Sequence, residues 1–259
     1  MSRTRQSPIS LEPDGTIWVR SMAVRFTTPY ASGELKHDWN KLCYASAGVL
    51  RVVTPDGAWV APPHRAVWVP AGIAHREETR GGASVRSLYL ASAICDALPS
   101  ECAVLNVPPL LRELILEVAE TSVLDAAQPT QRRLAEIIVD RIALLEPKAS
   151  QVLPMPRDRR ALLIVQHLQN EPSNGESLSI LARRAGASVR TAQRLFLSET
   201  GMPFAQWRQR LRLLVAMERL GAGLNVTQTA FEVGYSSVSA FVSAFRCEFG
   251  VTPGQYSES

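Results

Sequence analysis

The chain has 259 residues, 46% hydrophobic and 20% charged, with no run of about 18 apolar residues; this excludes a helical membrane span and fits two soluble domains. Its net charge of +4 is unevenly placed: residues 157–259 hold 12 Arg, no Lys and 8 acidic residues, whereas residues 1–156 hold 16 basic and 16 acidic residues that cancel. Such asymmetry points the C-terminal part toward a polyanion. The four cysteines (Cys43, Cys95, Cys102, Cys247) lack CxxC spacing and read as reduced thiols, and no apolar stretch follows the first five residues, so a cytoplasmic protein without a signal peptide is expected.

From about residue 16 to 91 the chain alternates short runs rich in Val, Trp, Tyr and Arg with turn signals. Ile17-Trp-Val, Val49-Leu-Arg-Val-Val, Ala66-Val-Trp-Val and Val85-Arg-Ser-Leu-Tyr-Leu are separated by Pro55-Asp-Gly57, Pro62-Pro63, Pro70-Ala-Gly72 and Gly81-Gly82. Many short strands at regular spacing predict an antiparallel barrel or sandwich. From 108 to 145 the period becomes helical, through Leu110, Leu111, Leu114, Ile115 and Val118, then Leu134, Ile137, Ile138, Ile142 and Leu145. Two amphipathic helices are predicted, which either cover the barrel or pair with a second subunit. The stretch 147–157 holds three prolines (Pro147, Pro154, Pro156) and reads as a linker. The expected organisation is a sensor domain at 1–106, a helical, candidate dimerisation segment at 107–146, the linker, and an all-α domain at 158–259.

That last domain contains an internal repeat offset by roughly 48 residues. Ala182 and Gly186 in Leu181-Ala-Arg-Arg-Ala-Gly186-Ala-Ser188 match Ala230 and Gly234 in Thr229-Ala-Phe-Glu-Val-Gly234-Tyr-Ser236, and Phe196 and Gly201 match Phe245 and Gly250. A small Ala lets a second helix cross closely. The Gly four residues later supplies the positive φ of a sharp turn, and Ser188 and Ser236 or Ser237 can cap the next helix. Each unit therefore reads as a helix-turn-helix whose second helix can enter a major groove.

These features, with Glu199-Thr-Gly-Met-Pro-Phe204, Trp207-Arg-Gln-Arg-Leu-Arg212 and Phe249-Gly-Val-Thr-Pro253, resemble the AraC/XylS family of bacterial regulators over about 100 residues. The resemblance implies two helix-turn-helix units joined by one long helix, here about 203–220, docking in successive major-groove segments of double-stranded DNA. In the first reading helix the candidate DNA-binding residues are Ser188, Arg190, Thr191, Gln193 and Arg194; Arg suits guanine and Gln suits adenine. In the second they are Ser237, Val238, Ser239 and Ser243, with Arg246 at its end, and these discriminate bases less sharply. The first unit is expected to dominate specificity, within 188–198. Arg208, Arg210 and Arg212 suit phosphates or helix ends.

The segment from His37 to His75 resembles the cupin-type sensor domain found at the front of such regulators, over about residues 16–90. Metal-binding cupins place two His one residue apart, an acid or amide several residues on, and a third His on a later strand. Here Leu35 stands in place of the first His and Lys41 in place of the acid or amide, while His37 and His75 remain. A metal is therefore not expected, although His37 and His75 are its candidate ligands, with His64 or Cys43 as supplements. The candidate ligand-binding residues are His37, Lys41, Tyr44, Trp68 and His75, for an anionic or hydrogen-bonding small molecule; the aromatics also read as plain core.

The overall expectation is an α+β protein of two domains, a cupin-like β-barrel with trailing helices and an all-α double helix-turn-helix. It would be a sequence-specific transcription regulator, not an enzyme, controlled by a small-molecule effector. No cofactor is expected. A homodimer is the expected state and RNA polymerase a further candidate partner. The rival readings are a metal-dependent cupin enzyme fused to a DNA-binding domain and a regulator without a ligand.

Overall fold

A computed structural model of the chain describes residues 15–147 and 152–257. Two antiparallel sheets make the N-terminal half. The strands are β1 (Ile17–Phe26), β2 (Tyr30–Ala31), β3 (Asn40–Ala47), β4 (Leu50–Thr54), β5 (Gly57–Ala61), β6 (Arg65–Val69), β7 (Arg76–Thr79), β8 (Ala83–Leu90) and β9 (Ala103–Asn106). Helix α1 (Pro109–Thr121), strand β10 (Val123–Asp125), helix α2 (Pro129–Ala143) and strand β11 (Val152–Pro154) follow. One sheet has the order β10-β1-β8-β3-β6-β9 and the other β11-β5-β4-β7-β2. The predicted barrel is thus two opposed sheets.

Strand alternation sorts these residues into layers. Cys43, Ala45, Leu50, Val52, Trp59, Val67, Val69 and Val85 pack between the sheets. The opposite residues of the first sheet (Leu42, Tyr44, Ala66, Trp68, Leu88) pack on Leu111, Ile115 and Val118 of α1 and Ile138 and Ile142 of α2. The predicted helices therefore cover a sheet, while Leu110 and Ile137 on them stay exposed. Because β3 and β6 are covered on both faces, their central residues 42–45 and 66–69 read as continuous apolar runs rather than clean alternation.

The outer face of the second sheet packs against the helical domain, where Val49, Ala58, Val60 and Leu153 join one core with Leu214 and Leu220. The stretch expected as a linker is not simply a linker: Val152–Pro154 pairs with β5 as an edge strand, and 148–151 lie outside the described residues. An edge strand can carry Pro154 because its N–H side need not pair.

The helical domain contains α3 (Arg159–Asn170), α4 (Leu178–Arg184), α5 (Val189–Thr200), α6 (Phe204–Gly221), α7 (Val226–Glu232), α8 (Val238–Phe249) and α9 (Pro253–Ser257). The long joining helix expected at about 203–220 is α6, with Pro203 at its N-cap. Phe196, Trp207, Phe241 and Phe245 are buried in the shared core.

Candidate nucleic-acid interface

The repeat seen in the sequence is repeated in the backbone. Gly186 has φ 71° and Gly234 φ 87°. After each, the chain turns back identically: Ala187 N–H donates to Ala182 O at 2.9 Å and Tyr235 N–H to Ala230 O at 3.0 Å. Ala182 and Ala230 are fully buried, as close helix crossing requires. Ser188 Oγ accepts from Thr191 N–H at 3.1 Å, and Ser237 Oγ, rather than Ser236, accepts from Ala240 N–H at 3.3 Å. These bonds satisfy orphan donors of the first turn and fix where each reading helix begins. Gly201 and Gly250 end them in the left-handed conformation.

The two reading helices present different chemistry. On α5, Leu195 and Phe196 face the core, and Arg190, Gln193 and Arg194 are exposed on the other side with Thr191 half-exposed. Among the described residues nothing pairs with the side chains of Arg190, Gln193 or Arg194. On α8, Ser239, Ser243 and Arg246 are exposed, while Val238 is partly buried against the core, which turns it away from solvent.

Most other arginines of the domain are engaged. Arg210 pairs with Glu248 at 2.8 Å, Arg184 with Glu176 at 2.7 Å, and Arg160 with Asp158 at 2.9 Å. Arg208 donates to Glu176 O at 2.9 Å and lies over Phe204. Arg212 donates to backbone carbonyls on both units. These side chains join helix ends and loops. Arg190 and Arg194 on α5 and Arg246 on α8, with Arg159 and Arg183, are exposed and left for an external anion, a distinction of partners that the bare sequence does not carry.

The polar cluster of the N-terminal domain is built around His37 and His75. Leu35 and His75 exchange both backbone hydrogen bonds, at 2.8 and 2.9 Å, which sets His37, two residues on, beside His75. Their rings meet edge-on with centroids 5.3 Å apart. His37 Nδ1 lies 2.7 Å from Trp39 O, and His75 Nδ1 lies 2.9 Å from Ile73 O. A carbonyl only accepts, so both Nδ1 atoms carry the proton and both Nε2 atoms offer a lone pair. Both Nε2 atoms are buried and have no hydrogen-bond partner among the described residues. Burial, with the Lys41 ammonium acting in the same direction, holds both imidazoles below their usual value of 6.5, so they are neutral.

Lys41 is 0% exposed and its Nζ lies 2.7 Å from Glu77 Oε1. Burial alone would depress the ammonium, but the Glu77 charge reverses the effect and raises it. Burial likewise pushes Glu77 up, yet Lys41 and the Cys43 thiol, which donates at 3.2 Å, leave the carboxyl below its usual range. The pair is therefore ionised and internally neutral. Glu77 was not among the candidates, although it stands two residues from His75 and so on the same strand face.

Tyr44 and Trp68 are not part of this cluster. Both are buried in the layer between sheet and helices, and the Trp68 indole N–H donates to Pro99 O at 2.8 Å. The fold therefore does not bring them together with His37, Lys41 and His75. His64 is exposed in the turn between β5 and β6. Among the described residues no three His, Cys, Asp or Glu side chains are grouped to hold a metal ion, so the donor set does not fit one.

The two domains meet closely. Arg80, one residue beyond β7, is ion-paired with the buried Glu218 of α6. The Trp207 indole N–H donates to Pro154 O at 2.8 Å and Arg157 pairs with Asp56 at 2.8 Å, while the backbone N–H groups of Arg157 and Asp158 donate to Glu199 of α5 at 2.7 and 2.9 Å and so anchor the entry to the helical domain.

A small sheet domain packed on tandem helix-turn-helix units defines the class of DNA-binding transcription regulators. The helix-turn-helix domain family matches residues 181–259. The HTH-type transcriptional regulator NimR of Escherichia coli K12 is 31% identical over 221 residues, 85% of this chain and 80% of NimR. The regulator RipA of Corynebacterium glutamicum is 36% identical over 103 residues, 40% of this chain and 31% of RipA. Among solved structures, fatty-acid-bound ToxT from Vibrio cholerae matches at 13% identity and TM-score 0.39, covering 94% of this chain and 95% of ToxT. An AraC-type regulator from Chromobacterium violaceum matches at 25% identity and TM-score 0.37, over 38% of this chain and 89% of that one. The chain belongs to the AraC-type helix-turn-helix transcription regulators. No helix of the described residues is long and apolar enough to cross a membrane.

Proposed function

We propose that this regulator is a one-component switch: the N-terminal domain takes a small-molecule effector, and α5 chooses the operator on double-stranded DNA. The observation that carries the DNA half is the unpaired trio Arg190, Gln193 and Arg194 on the open face of a capped helix. Ser188 and Thr191 lie at the same end, suited to phosphate. Ser237, Ser239, Ser243 and Arg246 of the second unit suit backbone contacts that set register.

The effector half rests on His37 and His75. Their two buried Nε2 acceptors favour a ligand that donates hydrogen bonds, through N–H or O–H groups. Lys41 is already neutralised by Glu77, so it adds little for an anion. An unmet buried acceptor costs about 1–3 kcal/mol, which a donor would recover. β7 supports a route to the DNA-binding domain: it begins one residue after His75 and ends one residue before Arg80, which holds Glu218 of α6. A homodimer through the exposed residues Leu110 and Ile137 of α1 and α2, contact with RNA polymerase and action in the cytoplasm complete the proposal.

The test is operator binding by fluorescence anisotropy, with and without neutral hydrogen-bond donors drawn from a small-molecule library. A donor should shift wild-type Kd and leave His75→Leu unmoved. A compound that acts equally on both proteins would contradict the site.

A further inference from the structure

The two reading helices hang from opposite ends of α6, whose 18 residues span about 27 Å. Successive major-groove faces on one side of B-DNA lie about 34–36 Å apart, so their joint use demands a fixed separation and rotation. The shared core and the Arg210–Glu248 pair hold each unit to α6, and direct contacts between the units add to that hold. Beside α6 there is also a groove of about 480 Å³, between Ala205, Gln209 and Arg212 on one side and Tyr235 and Ala244 on the other.

Among the described residues Arg212 bonds to both units beside this groove. Arg212, in the middle of α6, donates from Nε to Pro172 O at 3.0 Å and from Nη2 to Asn174 O at 2.8 Å, both in the loop between α3 and α4 of the first unit. Its Nη1 donates to Gly234 O at 3.2 Å, in the turn of the second unit. No carboxylate pairs with it among the described residues, so its bonding capacity is spent on main chain from both units.

Gly234 is the other half of the joint. A Cβ there would lie 2.9 Å from both Cα and O of Ser173, besides meeting a φ of 87°. At the matching Gly186 a Cβ would meet nothing within 4 Å. The first glycine is needed for its turn alone, whereas the second also lets the turn of one unit touch the loop of the other.

We propose that Arg212, with Gly234, is the positioning brace that fixes α5 relative to α8 and so sets the spacing between the two DNA segments the protein recognises. Arg212 acts through the two units and touches no base. The proposal rests on the reading that both units engage DNA.

The test uses the full chain and a duplex selected by the wild type from random sequence. Affinity is measured on that duplex and on versions with one base pair inserted or removed between the two recognised segments. Wild type should lose about tenfold or more on the altered spacings, in the range of one disrupted base contact. Arg212→Ala should bind the parent site more weakly and lose only about threefold or less on altered spacing, because each unit can then seat independently. Arg212→Lys keeps the charge without the planar fork and should behave like the Ala variant; it also carries the comparison should Ala not fold. If both variants keep the wild-type spacing penalty, the brace is wrong. If Arg212→Ala weakens on all sites equally with a salt slope about one unit shallower, while Arg212→Lys keeps the wild-type slope, Arg212 is a phosphate contact instead. A wild type indifferent to spacing overturns the brace too, and a wild type that selects no site removes the underlying DNA reading.

Discussion

Replacing Glu77 with Ala should destabilise the N-terminal domain sharply. Lys41 Nζ sits 2.7 Å from Glu77 with no solvent exposure, and Cys43 shares the same oxygen. Truncating the carboxylate strands a buried ammonium and typically costs about 3–5 kcal/mol. With a urea slope near 2 kcal/mol/M, the unfolding midpoint should fall by about 1.5–2.5 M. Removing both charges, as Lys41→Met with Glu77→Leu, should recover most of that loss, because a well-packed apolar pair often matches a buried ion pair. The pH dependence gives a second sign. In the wild type the raised Lys41 ammonium contributes stability that is present below its ordinary value and lost as pH rises through the raised one. In Glu77→Ala burial acts alone and depresses the ammonium, so the deficit should shrink toward alkaline pH. Urea melts followed by tryptophan fluorescence measure all three proteins. A single-variant deficit below about 1 kcal/mol, or one that grows with pH, would refute the internal ion pair.

Two further outcomes follow from the same sites. His37 and His75 are held neutral by burial, so the unfolded chain binds more protons below the ordinary imidazole value of 6.5. Stability should therefore fall as pH drops below 6.5, and His75→Leu should lessen the slope in thermal melts; an unchanged slope would show that other groups set it. DNA affinity should fall steeply with salt, with a log–log slope of about −2 or steeper if Arg246 and the arginines of α5 displace counterions, and a flat series would remove the electrostatic argument.

Much of this was legible in the chain because the functional half is a local repeat. Ala182, Gly186, Ser188 and Phe196, matched by Ala230, Gly234, Ser237 and Phe245, specify crossing, turn, cap and core within some fifteen residues each. The N-terminal half depends on long-range pairing, and there less is legible. His37 and His75 do meet, yet Tyr44 and Trp68 lie in the helix-facing layer. Parity carries the reason: Tyr44 is three residues from Lys41, so the pleat puts them on opposite faces of β3. Parity equally puts Glu77 with His75. The strand at Val152–Pro154 was hidden by its proline, which signals a linker but suits a sheet edge. The bonds of Arg212 to loops from both units have no sequence signature at all.

Selection from a random duplex library by the wild-type chain and by Arg190→Ala tests most directly whether α5 carries specificity. The account predicts an enriched wild-type motif with its sharpest positions in one segment. Arg190→Ala should lose preference at a single base pair there, at a cost of about 1–3 kcal/mol, and keep the rest. An unchanged motif with uniformly weaker binding, or a motif sharpest in the segment served by α8, would contradict it.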